Sequence, residues 1–228
     1  MPTIPFHAVL FDCDGVLVDS ETITNSVLRD MLEELGWSMT LPESMALFVG
    51  KAVRDQSALI EARTGKPFSE SWLAAFWQRR NAALETSLQI IPGALEAVAE
   101  LHDRLDGRIA CASGADRGKV ELQLRKVGLL RYFEARIFSG HEAPRNKPHP
   151  DVYLAAAAAL GIDPAHCAVV EDTATGAAAG LAAGATVFGY CPGGLGHDSA
   201  AALRAAGVQH LLGDMQALPS RLAGVTKG

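Results

Sequence analysis

Cysteine is scarce in this 228-residue chain. The four present, Cys13, Cys111, Cys167 and Cys191, have no paired spacing, and each lies in or beside an apolar run. That argues against a disulfide framework or a thiolate metal cluster, and predicts small buried hydrophobes in a reducing cytoplasm. Long apolar runs are missing as well. No stretch approaches the roughly 18 residues that a membrane-spanning helix needs, so no membrane partner is expected. The start, Met1-Pro2-Thr3-Ile4-Pro5, lacks the basic residues and apolar core of a signal peptide. Positive charge is in deficit: 20 Lys and Arg against 26 Asp and Glu give a net charge of -6. The basic residues are scattered, which excludes a nucleic-acid groove from the expectation. Any phosphate must be drawn in by a local positive cluster against the overall field.

What is present is the composition of an ordinary globular protein, 49% hydrophobic and 20% charged. The length suits one large domain or a domain carrying an insertion. The most informative stretch runs from His7 to Ser20. The apolar run Ala8-Val9-Leu10-Phe11 reads as a buried strand and ends in Asp12 and Asp14, with Gly15 directly after. Two carboxylates this close raise each other's pKa, and a cation is the simplest offset. Mg²⁺ is the expected one, because it takes oxygen ligands and keeps part of its shell for water and phosphate. An acidic turn with no chemistry is the other reading of Asp-x-Asp-Gly alone.

After Ser20 the period changes to that of helices. Apolar residues from Ile23 to Leu35 recur at helical spacing up to Gly36. A polar, proline-containing connector is expected next, followed by helices over 55 to 64 and 69 to 86. Arg80 falls in the apolar stripe of the last one, where a guanidinium needs an anionic partner, either a substrate or a carboxylate across an interface. Past Ile90-Ile91-Pro92-Gly93, strands and helices alternate. Strands are expected at 108 to 112, 135 to 138, 167 to 170 and 186 to 190. Helices are expected at 94 to 105, 116 to 127, 151 to 160 and 174 to 182, with one more helix and a short apolar run after Ala200. The pattern predicts an α/β fold, a Rossmann-like parallel sheet core covered by helices, interrupted by an inserted helical block. The alanine-rich runs at 155 to 159 and 176 to 180 read as helices with small faces, and Gly193-Gly194-Leu195-Gly196 as a flexible connection.

In such a sheet, ligands bind beyond the carboxyl ends of the strands. Ser113-Gly114-Ala115-Asp116 follows one strand and suits either a phosphate or a helix cap. Lys147-Pro148-His149-Pro150 follows the next, with the lysine backbone fixed by proline; His149 reads as a surface residue. Glu171-Asp172 ends a third and repeats the acidic situation of Asp12 and Asp14.

Taken in order, Asp12-x-Asp14-Gly15, Ser113, Lys147-Pro148 and Glu171-Asp172-x-x-x-Gly176 resemble the four motifs of the haloacid dehalogenase-like phosphohydrolases. The subgroup is that of phosphoglycolate phosphatases, sugar-phosphate phosphatases and β-phosphoglucomutase. The resemblance covers the core, and the helical block is similar to that family's small cap domain. It implies a core domain over 1–18 and 88–228 and a cap over 19–87, with Val18-Asp19-Ser20 and the segment near Ile91 as paired hinge strands. It implies Asp12 as nucleophile, Asp14 as general acid and then base, and Ser113 and Lys147 holding the transferring phosphoryl group beside Gly15 and Gly114. Mg²⁺ would be held by Asp12, the carbonyl of Asp14 and Asp172, with Glu171 as a ligand or an acid behind the ligands. Gly50-Lys51-Ala52-Val53-Arg54-Asp55 is similar to a substrate loop, and Arg54 and Arg80 are the candidates for binding the rest of the substrate.

The implied activity is Mg²⁺-dependent hydrolysis of a small phosphorylated sugar or sugar acid through an aspartyl-phosphate, by a monomer or small homo-oligomer in the cytoplasm. A β-phosphoglucomutase-like isomerase is the alternative, although Thr24 stands where similar mutases carry histidine. A non-catalytic binding protein on the same fold is the alternative of another class.

Overall fold

A computed structural model describes residues 3–225. Met1, Pro2 and residues 226–228, which the expected core range includes, lie outside the described residues.

The apolar run forms strand β1 (Ala8–Phe11), all four residues of which are buried. The chain then passes through β2 (Val18–Asp19) into α1 (Glu21–Glu34), α2 (Leu41–Phe48), a 3₁₀ turn (Val53–Gln56), α3 (Ser57–Thr64) and α4 (Glu70–Ser87), returning in β3 (Gln89–Ile90). There follow α5 (Ala94–Arg104), β4 (Ile109–Ser113), α6 (Arg117–Lys126), α7 (Leu130–Phe133), β5 (Ile137–Ser139) and α8 (Asp151–Leu160). The chain ends with β6 (Cys167–Glu171), α9 (Ala174–Ala182), β7 (Thr186–Tyr190), α10 (Ala200–Ala205), β8 (His210–Leu212) and α11 (Leu218–Ala223).

Six strands make one sheet in the order β5-β4-β1-β6-β7-β8. Every pairing is parallel; Phe11 lies opposite Cys111 on one side and Val170 on the other. The winding reverses at β1, so the crevice beyond Phe11 is where a ligand is expected. Period-two alternation divides the strand between two cores. Val9 and Phe11 pack with Val98, Val120, Leu124 and Phe133, whereas Ala8 and Leu10 pack with Val152, Tyr153, Ala156 and Ala177. The small faces expected of α8 and α9 allow this second layer to lie close to the sheet. A Cβ on Gly180 would stand 2.9 Å from Val187 Cγ2 and 3.0 Å from Val169 Cγ1.

Helices α1 to α4 carry a third core of their own, built on Leu28, Met31, Leu32, Phe48, Ile60, Leu73 and Phe76. This layer is joined to the sheet through β2 and β3, which pair antiparallel, Val18 opposite Ile90.

Four expectations need correction. The connector after Gly36 contains helix α2. Pro42 sits in its first turn, where no backbone donor is lost, and Thr40 and Glu43 cap it reciprocally. Helix α11 starts with Leu218-Pro219 for the same reason, and the short α7 has no counterpart among the expected helices. Cys13, Cys111 and Cys167 are buried, but Cys191 is partly exposed, because it lies just past the end of β7 where the chain leaves the sheet.

Candidate active site

Asp12 is the first residue past β1 and is 7% exposed. Its Oδ1 accepts from Lys147 Nζ at 2.7 Å. The same ammonium donates to Glu171 Oε1 at 2.7 Å and to the Ala112 carbonyl at 2.9 Å, so one cation ties together the ends of three adjacent strands. It also lies 4.7 Å from the centre of the Tyr153 ring, whose hydroxyl donates to Glu171 Oε1 at 2.7 Å. Burial opposes the Lys147 charge, but Asp12 and Glu171 outweigh it and lift its pKa well above the ordinary lysine value. Burial acts on Asp12 most strongly and raises its carboxyl to about 7, with Lys147 pulling it down and Glu171 and Asp14 pushing it up.

Asp14 is held differently. Its Oδ1 meets Lys119 Nζ at 2.7 Å and Gln123 Nε2 at 2.8 Å, and accepts from the Ser20 hydroxyl. Burial alone would favour the neutral acid, but Lys119, Ser20 and Gln123 hold the carboxyl below its ordinary value. Two acids one residue apart are thus separated in charge state by their neighbours.

Ser113, the last residue of β4, is buried, and its Oγ accepts from the Ala115 amide at 3.1 Å. Asn146 donates to the Gly114 carbonyl at 2.8 Å and accepts from the Lys147 amide, which locks the two phosphate-candidate loops together. Gly15 has φ +74°, and a Cβ there would stand 2.0 Å from Asp172 Oδ2, so only glycine fits. Its carbonyl accepts from His197 Nε2 at 2.9 Å, which brings the glycine-rich connection after β7 onto the Asp12-Asp14 turn.

Asp12, Glu171 and Asp172 each offer a carboxylate oxygen within 4.8 Å of the others. Asp172 Oδ1 is buried without a hydrogen-bond partner, and burial together with Glu171 and Asp12 raises its carboxyl well above the ordinary value. A crowded, dry, oxygen-only donor set of this kind fits a hard divalent cation. Glu171 is already occupied, by Lys147 and Tyr153 at Oε1 and by Thr173 Oγ1 at Oε2. The orphaned oxygen belongs to Asp172. The Asp14 carboxylate is not part of this cluster.

A cavity of about 350 Å³ opens over these groups, with α1, α4 and the 48–56 loop as its other wall. Both arginine candidates line it. Arg80 is buried and pairs with Asp116 Oδ2 at 3.0 Å, so its partner is a carboxylate across the interface. Arg54 is half exposed and forks onto Glu70 at 2.5 and 2.8 Å. Glu21 faces the cavity, held by Asn25 Nδ2 at 3.2 Å; burial raises its carboxyl to about 7, opposed by Lys119 and assisted by Asp14.

Sequence reading passed over Lys119, Gln123, Tyr153 and Glu21. Lys119 and Gln123 had a usable signal. They share the buried face of α6 with Val120 and Leu124, the same anomaly that singles out Arg80.

The model of the haloacid dehalogenase-like hydrolase family matches residues 6–184. The chain belongs to that family. Among curated proteins it is 29% identical over 186 residues to 6-phosphogluconate phosphatase of Escherichia coli K12, covering 81% of this chain and 82% of the relative. It is 31% identical over 180 residues to hexitol phosphatase B of the same organism, covering 77% and 79%. Among solved structures, a family hydrolase from Deinococcus radiodurans R1 with bound phosphate and sodium is 39% identical. That structure superposes with a TM-score of 0.77 and 96% of each chain covered. As a family member with such relatives, the chain is a phosphoric monoester hydrolase.

Proposed function

We propose that this hydrolase is a Mg²⁺-dependent phosphatase of small phosphorylated sugars or sugar acids, working through an aspartyl-phosphate on Asp12. The observation that carries this reading is the charge division at the end of β1. Asp12 is tied to Lys147, while Asp14 is held by Lys119, Ser20 and Gln123.

An Asp12 carboxylate oxygen attacks phosphorus, and the bond from phosphorus to the ester oxygen breaks. Asp14 gives its proton to the departing oxygen. A water then attacks the aspartyl-phosphate, Asp14 takes its proton back, and inorganic phosphate and free Asp12 result. Asp14 as it stands is ionised, the state that accepts a proton; to donate one its oxygen must first leave Lys119, Gln123 and Ser20 and take up a proton from solvent. Ser113, the Gly114 amide and Lys147 hold the phosphoryl oxygens beside Gly15 and Gly114, whose missing side chains make room for Asp172 Oδ2 and for Asn146 and Lys147. Asp12, Asp172 and the Asp14 carbonyl would hold Mg²⁺, which neutralises phosphoryl charge when bound. Residues 19–87 act as a cap on the core of 1–18 and 88–228, moving about the β2-β3 pair to exclude water. Arg54 and Arg80 belong to the cap wall that meets the leaving group. Thr24 cannot relay protons between sugar hydroxyls at neutral pH, which favours hydrolysis over isomerisation.

The test is phosphate release from a panel of phosphate esters with Mg²⁺ and with a chelator, alongside product analysis. Metal-dependent release equal to ester consumed is expected. Isomerised sugar phosphate would point to a mutase, and the lack of any metal-dependent turnover would contradict the enzyme.

A further inference from the structure

The two walls of the cavity differ in what they leave unsatisfied. Its cations are almost all spoken for by the chain's own carboxylates: Lys147 by Asp12 and Glu171, Lys119 by Asp14, Arg80 by Asp116 and Arg54 by Glu70. Among the described residues lining the cavity, Lys51 is the lysine or arginine without a carboxylate partner. It is exposed, and its ammonium donates to the Leu47 carbonyl at the end of α2. Apart from Lys51, the described residues lining the cavity therefore hold no free cation for a second anionic group on the substrate.

Helix α1 offers hydrogen-bonding groups instead. Thr24 lines the cavity, and its buried Oγ1 has no partner. Glu21, three residues earlier and so on the same helical face, is fixed by Asn25, whose Nδ2 donates to Glu21 Oε2 at 3.2 Å and to the Glu21 carbonyl at 3.0 Å. Asn25 is fixed in turn by Ser44 Oγ at 3.4 Å from its Oδ1. Leu28, Phe48, Phe76 and Trp77 line the cavity beside these groups and supply an apolar surface. A carboxylate and a hydroxyl on one face, against apolar and aromatic walls, match a carbon chain bearing neighbouring hydroxyls. A buried donor or acceptor left without a partner is costly, so such a site discriminates against ligands that leave it unpaired. Burial disfavours the negative charge of Glu21 most strongly, Lys119 opposes that and Asp14 and Asp19 add to it; the balance is against a negative charge, and a substrate carboxylate held beside Glu21 would add a second one.

We propose that Glu21 and Thr24 are specificity-determining residues that select an uncharged, polyhydroxylated leaving group, a polyol or neutral sugar, over a sugar acid or a bisphosphate. The proposal rests on the phosphatase reading and narrows it.

The experiment compares kcat/KM for a six-carbon alditol 6-phosphate, the aldonate 6-phosphate of the same skeleton, and p-nitrophenyl phosphate as a reference lacking both features. The alditol ester is expected to be preferred over the aldonate by roughly 10-fold or more. Glu21→Gln, which removes the charge and keeps the shape, should narrow that ratio mainly through a lower KM for the aldonate. Thr24→Val should lower kcat/KM for the alditol ester by a larger factor than for p-nitrophenyl phosphate, and Thr24→Ser should restore it. Equal or better use of the aldonate by the unaltered enzyme would overturn the proposal while leaving the phosphatase reading intact. A ratio unmoved by Glu21→Gln would do the same. No turnover of any of the three esters would overturn both.

Discussion

The strand ends and the helical layer above them both line the cavity, yet they treat charge in opposite ways. At the strand ends, Asp12, Asp14 and Glu171 are buried or nearly so and are paired at 2.7 Å with Lys119 of α6 and Lys147 of the loop before α8. In the helical layer, Arg54 and Glu70 pair in the open, Glu21 is held only by an amide, and Thr24 Oγ1 has no partner. The difference teaches where the two tasks of a hydrolase reside. On the proposed reading, the core fixes a reacting geometry before any ligand arrives, and the helical layer keeps groups available to recognise what is attached to the phosphate.

If that division holds, substitutions in the core should remove chemistry and those in the layer should change selectivity. The largest expected effect is that of Asp12→Asn, which should reduce turnover below detection while circular dichroism and thermal melting show a folded protein. Retained turnover would end the covalent route. Next is Lys119→Met, which strips Asp14 of its cation. It should lower kcat about 10²–10⁴-fold, the scale of acid-base catalysis, with Lys119→Arg recovering part of the loss. A change confined to KM would place Lys119 with the recognition groups instead.

Arg80 lies on the boundary between the two regions. Its pair with Asp116 is 7% and 32% exposed at the two side chains. Arg80→Ala should cost about 2 kcal/mol, or about 4–8 °C in Tm for a chain of this size, whereas Arg54→Ala should barely move Tm, as expected of an exposed pair. In kinetics, Arg80→Ala should raise KM for an ester with an extended leaving group more than for p-nitrophenyl phosphate. Equal effects would confine Arg80 to holding the interface.

The last effect is confined to part of the pH range. The Glu21 carboxyl stands at about 7 in the folded chain against an ordinary 4.5, so between those values the folded state binds the extra proton and stability falls as pH rises. Glu21→Gln should therefore stabilise the protein above pH 7, by up to about 3 kcal/mol. The gain should fade as pH drops toward 4.5. Equal melting shifts across that range would show that Glu21 is not buried in the way its surroundings indicate.

How much of this could be read from residues alone follows the same division. The positions at the strand ends were legible because each candidate residue sits beside an apolar run that declares its own strand: Asp12 after Phe11, Ser113 after Ala112, Glu171 after Val170. The parallel sheet followed from the same alternation. The partners of Asp14 were hidden because Gln123 and Lys119 lie on a distant helix, Gln123 109 positions along the chain, and only folding brings them together. Tyr153 looked like core and is core, yet its hydroxyl reaches Glu171. Helix α2 was obscured by a proline that reads as a breaker and acts as a first-turn residue. Arg80 was recognised as anomalous from its place in the stripe, but periodicity does not say which anion answers it.

The central claim is that the phosphoryl group passes through Asp12. Acid quenching during steady-state turnover with Mg²⁺, followed by peptide mass spectrometry, tests it directly. The peptide containing Asp12 should appear heavier by one phosphoryl group, and Asp12→Asn should abolish that species. A phosphoryl group found on Ser113 or another residue, or turnover with none on any peptide, would contradict the account.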